Sequence, residues 1–168
     1  MKKVSADCIA GFFDGEGYII SIILARETGP RGVGIYIGIS NNNIKVLNII
    51  QKTLGYGKVS FSSFCKGEEH NPNYSYDVYK KPDVKKFINM VKNKVIIKKE
   101  ECVIALKILK LVEPFRAGRK QKTPDNVMIK VVELIIEMTK YKSGKNGPKR
   151  VKIEKLNKIK NQYKEEWE

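Results

Sequence analysis

The residues best suited to chemistry lie in a glycine-rich segment near the start of the chain, where Asp14 and Glu16 alternate with Gly15 and Gly17. The preceding pattern predicts a helix over residues 5–14 that is capped by a serine, is apolar almost all round and ends at these glycines. The C-terminal end of a helix carries partial negative charge and disfavours carboxylates. Acidic side chains at this position therefore indicate a bound cation.

Small residues recur along the same predicted helix about one turn apart. They fall on neighbouring helix lines, so that a second backbone can approach closely and two such helices can pack with little between them. The two lines are Ala6, Ala10 and Asp14, and Asp7, Gly11 and Gly15.

The elements that position this segment follow from the periodicity of the next hundred residues. Alternating β-branched residues predict strands, and apolar residues three and four apart predict helices. The resulting order is αββαββα plus one further helix, an α+β arrangement. The predicted elements after the first helix are strands Tyr18–Arg26 and Val33–Ser40, helix Asn43–Leu54, strands Lys58–Cys65 and Tyr74–Lys80, and helices Asp83–Val91 and Lys99–Val112.

The strands are predicted to have one core face and one wet face, because side chains alternate between the two faces of a strand. The inward set is Val33, Ile35, Ile37, Ile39, Val59, Phe61, Tyr74, Tyr76 and Val78. The outward set is Gly34, Tyr36, Gly38, Ser40, Ser60, Ser62, Ser75, Asp77 and Tyr79.

Positive charge is concentrated in the second half of the chain. The 168 residues include 33 Lys and Arg against 18 Asp and Glu, a formal net charge of +15. Residues 1–84 carry 10 basic and 8 acidic side chains, whereas residues 85–168 carry 23 and 10. This balance makes a polyanion the expected partner. The length suits a single domain over 1–168, with a core in 1–112 followed by basic loops and helices in 113–168.

Several classes of protein are disfavoured. The three cysteines are widely spaced without a C-x-x-C pair, so neither a disulfide framework nor a zinc site is indicated. No apolar run approaches the ~20 residues of a membrane span. We therefore expect a soluble, intracellular protein without a membrane partner.

Residues 9–17 (IAGFFDGEG) resemble the LAGLIDADG motif of homing endonucleases, and the resemblance extends through the order of elements to about Val112. The motif occurs once, which resembles the homodimeric branch of the family. The resemblance implies a LAGLIDADG homing-endonuclease fold, in which a four-stranded antiparallel sheet binds DNA and the motif helices of two domains pack at a two-fold axis.

The resemblance also implies roles for individual residues. Glu16 would hold a divalent ion at the DNA backbone with help from the Gly15 carbonyl, and Mg²⁺, with Mn²⁺ as a substitute, suits such hard oxygen ligands. Lys98 and Asn41 match the positions that order water around the metal. Asn42 or Lys45 could replace Asn41, since the alignment there needs a gap. The expected dimer interface is Ala6, Asp7, Ala10, Gly11 and Asp14.

Two groups of residues are expected to contact DNA. The wet face of the sheet would read bases in the major groove: Tyr18, Ile20, Ile22, Leu24, Arg26, Tyr36, Ser40, Ser60, Ser62, Ser75, Asp77 and Tyr79. The basic second half would contact phosphates, giving a steep salt dependence: Arg116, Arg119, Lys120, Lys142, Lys145, Lys149 and Arg150 lead this group.

The implied activity is Mg²⁺-dependent cleavage of both strands of a long, nearly palindromic DNA site by a homodimer, leaving short 3′ overhangs. The first alternative is a non-cleaving protein of the same fold, either an intron maturase that also binds intron RNA or a DNA-binding regulator. The second is a basic ribonucleoprotein component whose sheet stacks on RNA through Tyr36, Tyr74, Tyr76 or Tyr79.

Overall fold

The computed structural model describes residues 3–24, 32–64, 72–115, 123–141, 154 and 156–161. The elements are helix α1 (Ala6–Glu16), strands β1 (Gly17–Leu24) and β2 (Gly32–Asn41), helix α2 (Ile44–Leu54), strands β3 (Lys58–Phe64) and β4 (Pro72–Val78), and helices α3 (Lys81–Val91), α4 (Lys99–Val112) and α5 (Asp125–Tyr141). Residues 156–161 are also helical. The α+β order predicted from the sequence is confirmed.

Helix α1 is capped as predicted but runs two residues further than expected. The Ser5 hydroxyl accepts the Cys8 amide at 3.2 Å, and Glu16 is the last helical residue. At Gly17 the chain turns directly into β1, and a Cβ there would lie 2.1 Å from the Phe13 ring. Only a glycine allows this close approach between strand and helix. Glu16 is therefore held at the junction of the two elements.

The four strands form one antiparallel sheet in the order β1-β2-β4-β3. Strand β4 lies between β2 and β3, with Gly38 opposite Asp77 on one side and Lys58 opposite Asp77 on the other. The register between β3 and β4 shifts between Phe61 and Ser63. Such irregularities bend a strand and increase its twist.

The core face of the sheet was predicted correctly for β2, where all four inward residues are at most 4% exposed. In β4, Tyr76 and Val78 are buried, but Phe61 of β3 is 51% exposed although its ring meets Tyr74 edge-on at 6.1 Å. Phe61 lies near the register shift, where the ladder is interrupted. The expectation that Phe61 faces a closed core is wrong.

The opposite face of the sheet differs more from the prediction, because two residues expected to be exposed are buried. Ser75 and Asp77 of β4 were predicted to be wet, yet they are only 6% and 5% exposed. The Tyr18 hydroxyl donates to Asp77 at 2.9 Å, and Ser75 donates to the same carboxylate at 2.6 Å. The alternation is correct, but aromatic side chains on this face exclude water from its centre.

The structure divides into two compact units, Met1–Ile20 with Ile35–Lys99 and Ser21–Gly34 with Glu100–Glu168. In the first, α1 packs on α3 through Phe13 and Phe87, whose rings meet edge-on at 5.1 Å, and α2 packs on β3 and β4. In the second, α4 and α5 bury apolar stripes that include Ile108 and Val131. Among the described residues, no helix is long and apolar enough to cross a membrane.

Candidate active site and nucleic-acid interface

Glu16 ends α1 with an exposed side chain. Within the described part of the chain, its carboxylate makes no hydrogen bond or ion pair. The adjacent Gly15 is also exposed, and a Cβ at that position would touch nothing within 4 Å. The end of the helix therefore offers carboxylate and carbonyl oxygens, which are the ligands that hard divalent cations prefer.

The side chain of Asp14 connects the end of α1 to the turn at residues 96–98, which precedes α4. Its carboxylate accepts the backbone amides of Ile96 at 2.9 Å, Ile97 at 3.1 Å and Lys98 at 2.9 Å. Partial burial opposes ionisation, but these three amides, and then the Lys98 charge, hold the pKa of Asp14 below its usual value. Asp14 was assigned to the dimer interface from the sequence. In the structure its carboxylate caps a turn of its own chain.

The side chain of Lys98 in turn hydrogen-bonds to the backbone of Asp14. Its ammonium donates to the backbone carbonyl of Asp14 at 2.7 Å, and the side chain is 9% exposed. The start of its own helix, α4, disfavours a cation. The structure directs it to the C-terminal end of α1, where the helix dipole stabilises positive charge. The Lys98 ammonium therefore lies at the backbone carbonyl of the residue that precedes Gly15.

Asn41 ends β2, and its side-chain oxygen accepts the Asn43 amide at 2.8 Å. Asn43 is the N-cap of α2 and accepts the Lys45 amide at 3.1 Å. The oxygen of Asn41 thus shapes the turn between strand and helix. The catalytic role suggested for Asn41, or instead for Asn42 or Lys45, stays a prediction.

The outer surface of α1 carries part of the predicted dimer interface. Asp7 and Gly11 are exposed, Ala6 is half-buried, and a Cβ at Gly11 would meet nothing within 4 Å. Ala10, by contrast, is 0% exposed and belongs to the core of its own chain. Its assignment to the interface is wrong, because the helix turns this residue inward together with Phe13.

The predicted base-reading residues are divided by their exposure. In β1 the predicted orientation is confirmed, since Ile19 is fully buried while Ile22 is 40% exposed. Tyr79 is 59% exposed, and its ring meets that of Tyr36 at 5.5 Å. The remaining described residues of this set are half-buried or exposed: Tyr18, Ile20, Ser40, Ser60 and Ser62. Ser75 and Asp77 are the buried exceptions noted above.

Other predicted contacts lie outside the described residues. The Leu24 backbone ends β1, but its side chain is outside that description. The same holds for the whole of Arg26, Arg116, Arg119, Lys120, Lys142, Lys145, Lys149 and Arg150. Their assignment to DNA contacts stays a prediction.

One chain supplies few acidic ligands near Glu16. Over the residues that the structure describes, no three His, Cys, Asp or Glu side chains cluster closely enough to hold a metal ion. A single exposed carboxylate with adjacent carbonyl oxygens could provide only part of a coordination sphere, with the remainder from water and a bound anion.

This α+β architecture combines an acidic helix end, a buried lysine beside it and an open antiparallel sheet. The family model described as "LAGLIDADG endonuclease" matches residues 9–109. The chain belongs to the LAGLIDADG endonuclease family and is a DNA endonuclease. The resemblance inferred from residues 9–17 is thereby confirmed.

Solved structures of homing endonucleases share the fold. The archaeal intron-encoded enzyme I-Vdi141I, complexed with DNA, is 20% identical with a TM-score of 0.72 over 95% of this chain and 96% of its own. I-TnaI is 21% identical with a TM-score of 0.70 over 96% and 99%. I-CvuI, in complex with its target in the presence of calcium, is 18% identical with a TM-score of 0.69 over 95% and 94%. No curated protein matched the sequence significantly.

Sequence reasoning missed two features of the site. The first is the cap that Asp14 provides to residues 96–98, which are separated from it by more than 80 positions. The second is the network around Asp77. Both connect a polar side chain to partners in remote elements, and no local spacing reveals such pairs.

Proposed function

We propose that the chain is a site-specific homing endonuclease that acts as a homodimer and cuts both strands of a long, pseudo-palindromic duplex in the presence of Mg²⁺. The products would carry short 3′ overhangs, as the resemblance implies. The observation that supports this most is the placement of Lys98 at the helix end that carries Glu16, where Asp14 and Lys98 hydrogen-bond to each other's backbone. The compartment would be the one holding the genome that carries its target.

The metal would be held by Glu16 and by the Gly15 carbonyl. The fit rests on the donor set, since Glu16 is an exposed carboxylate that has no partner in the described part of the chain and stands where the helix end is already negative. Oxygen ligands of this kind suit Mg²⁺, and Mn²⁺ can substitute for it. A bound divalent ion activates water for attack on a phosphodiester and stabilises the departing oxygen.

Lys98 would act at the same phosphate. Among the described residues its ammonium donates one hydrogen bond, to the Asp14 carbonyl, which leaves two of its three N–H donors for other partners. Those donors can orient a water molecule or stabilise negative charge that develops on the phosphate. Because the side chain is largely buried, its position is set before DNA binds.

Dimerisation would supply the second half of the site. Each chain contributes one Glu16, so two scissile phosphates require two chains. The outer face of α1 around Gly11 is open, and beside it Ile96 is 87% exposed and Ile97 58% exposed. Exposed apolar side chains next to a helix of small residues favour a protein partner. A second copy of the chain would cover both features.

Sequence would be read by the open face of the sheet, whose exposed side chains are mostly polar or aromatic. Affinity would come from the basic second half of the chain, and the net charge of +15 supports a strong salt dependence. This division of tasks is common in proteins that recognise DNA, since phosphate contacts position the protein and base contacts specify the site.

The test is selection from a randomised duplex library. The purified full-length chain would be incubated with the library in Ca²⁺ and in Mg²⁺, and the bound and cut molecules would be sequenced separately. We expect one pseudo-palindromic site to be enriched in Ca²⁺ and the same site to be cut in Mg²⁺. Sequencing of the cut ends reports the overhang.

Other outcomes would favour the alternatives. Binding of a symmetric site without cutting in Mg²⁺ or Mn²⁺ would support a regulator or a maturase, and added intron RNA would distinguish these two. Binding of RNA in preference to duplex DNA, without symmetry or metal dependence, would support the ribonucleoprotein alternative. Cutting of an asymmetric site by a monomer would contradict the homodimer.

A further inference from the structure

Asp77 is a nearly buried carboxylate on the face of the sheet opposite to the core. It is 5% exposed and lies in the central strand β4, opposite Gly38 of β2. Its oxygen atoms accept the Tyr18 hydroxyl at 2.9 Å and the Ser75 hydroxyl at 2.6 Å. Two neutral donors thus converge on one negative charge.

The surroundings are built to hold this network. A Cβ at Gly38 would lie 2.1 Å from the Tyr18 ring, so the absence of a side chain lets the ring lie flat across β2. The rings of Tyr36 and Tyr79 pack at 5.5 Å. Residues of β1, β2 and β4 therefore share one rigid polar cluster.

The protons in this cluster have defined directions. A carboxylate only accepts hydrogen bonds, and each hydroxyl has a single proton. Burial, followed by the hydrogen bond to Asp77, raises the pKa of Tyr18, so its hydroxyl stays protonated at neutral pH. The protons of Tyr18 and Ser75 therefore point toward Asp77, and these two hydroxyls keep oxygen lone pairs as acceptors.

We propose that Asp77 is a positioning residue for base recognition, which makes the centre of the sheet present hydrogen-bond acceptors to DNA. This inference rests on the proposed function, in which this face lies in the major groove. Exocyclic amino groups of adenine and cytosine are the donors there, whereas guanine and thymine present acceptors at the corresponding positions. The cluster therefore selects an amino-bearing base at one position in each half-site.

The isosteric variant Asp77→Asn tests this assignment. An asparagine amide accepts through its oxygen and donates through its nitrogen, so one hydroxyl must turn its proton outward. The centre of the face then presents a donor where the wild type presents an acceptor. The variant also lacks a negative charge, which should raise its affinity for all duplexes alike.

The measurement is selection from a library in which each position of the wild-type target is randomised in turn, with the full-length protein in Ca²⁺. We expect wild type to favour an amino-bearing base about fivefold or more at one symmetric pair of positions. Asp77→Asn should lose or reverse that preference and leave the other positions unchanged. Tyr18→Phe, which keeps the ring but removes an outward lone pair, should lose the same preference.

Asp83→Asn in α3 is the charge-matched control and should leave every preference unchanged. The proposal is overturned if Asp77→Asn keeps the wild-type profile, or if its profile flattens at all positions alike. Thermal unfolding shows whether Asp77→Asn folds. If Asp77→Asn does not fold, the base preferences of Tyr18→Phe alone test the proposal. If wild type itself enriches no symmetric site, the proposed function fails and this inference with it.

Discussion

The side chain of Asp14 and the side chain of Lys98 each bind the backbone of the other residue. The Asp14 carboxylate accepts the Lys98 amide at 2.9 Å, and the Lys98 ammonium donates to the Asp14 carbonyl at 2.7 Å. The end of α1 and the start of α4 are thereby joined at the residues proposed for catalysis. Five predictions test this site and its setting.

Replacing Asp14 with alanine should destabilise the fold. Three backbone amides lose their acceptor, and the expected loss in free energy of unfolding is about 2 kcal/mol, in the range of a strong helix cap. Urea denaturation followed by circular dichroism measures it. Asp7→Ala removes another α1 carboxylate, whose partner Lys94 is exposed, and should cost much less. Equal losses would contradict the capping role.

Replacing Lys98 with alanine should slow cleavage far more than it weakens binding. The lost ammonium would act on charge that develops during the reaction, so we expect a cleavage rate reduced about a hundredfold or more. Single-turnover cleavage and a binding titration in Ca²⁺ give the two numbers. Lys99→Ala, at the exposed next position, is the control and should cut at nearly the wild-type rate. Equal losses in rate and affinity would make Lys98 a phosphate contact instead.

Replacing Glu16 with glutamine should abolish cleavage while DNA binding is retained. The amide keeps the shape of the side chain but lacks the charge that a divalent cation requires, and the rate should fall at least about a hundredfold. Glu137→Gln in α5 controls for the loss of one charge. A Glu16→Gln variant that still cuts would show that the metal ligand is another residue.

Replacing Gly11 with leucine should convert the proposed homodimer into a monomer without unfolding it. A Cβ at this position would meet no described atom of its own chain within 4 Å, so the added bulk projects toward the proposed partner helix. Sedimentation equilibrium reports the mass, and Asn89→Leu on the exposed side of α3 is the control. An unchanged dimer mass for Gly11→Leu would exclude this helix from the interface.

Alkaline pH should destabilise the fold through buried phenols. Burial, and secondarily Asp83, raises the pKa of Tyr56 from 10.0 to about 12, and burial raises that of Tyr76 further. The unfolded chain loses these protons first, so stability is constant below about pH 10 and falls as the pH rises toward 12. For Tyr56 the loss is about 1 kcal/mol after allowance for solvent screening. Denaturation at pH 8 to 11.5 measures it, and Tyr56→Phe should flatten the curve.

The sequence predicted the fold well because its signals are local. The alternation in β2 and the cap at Ser5 each reflect neighbouring residues, and both agree with the structure. The glycines after Asp14 indicate the end of α1 to within two residues, since the helix ends at Glu16 and not at Asp14. Ala10 was misassigned because a helix of small residues has little amphipathic contrast. The sequence pattern does not distinguish the inward face of this helix from its outward face. The packing of Phe13 against Phe87 in the structure shows which face is buried.

The candidate site was predicted as a set of residues but not as an arrangement. Glu16 and Lys98 were identified through the resemblance, whereas their connection depends on a contact between residues 84 positions apart. The burial of Asp77 likewise depends on Tyr18, which reaches it across the sheet from another strand. Alternation correctly gave the face of Asp77, but exposure depends on the size of its neighbours.

The pairing of Asp14 with Lys98 joins two segments that are synthesised at different times. The motif helix emerges from the ribosome early, but its end lacks these contacts until the turn at residues 96–98 has been translated. A nascent chain that stops short of this turn carries the proposed metal ligand Glu16 without Lys98. If both residues are required as proposed, premature termination of translation would release fragments that do not damage the DNA of their host.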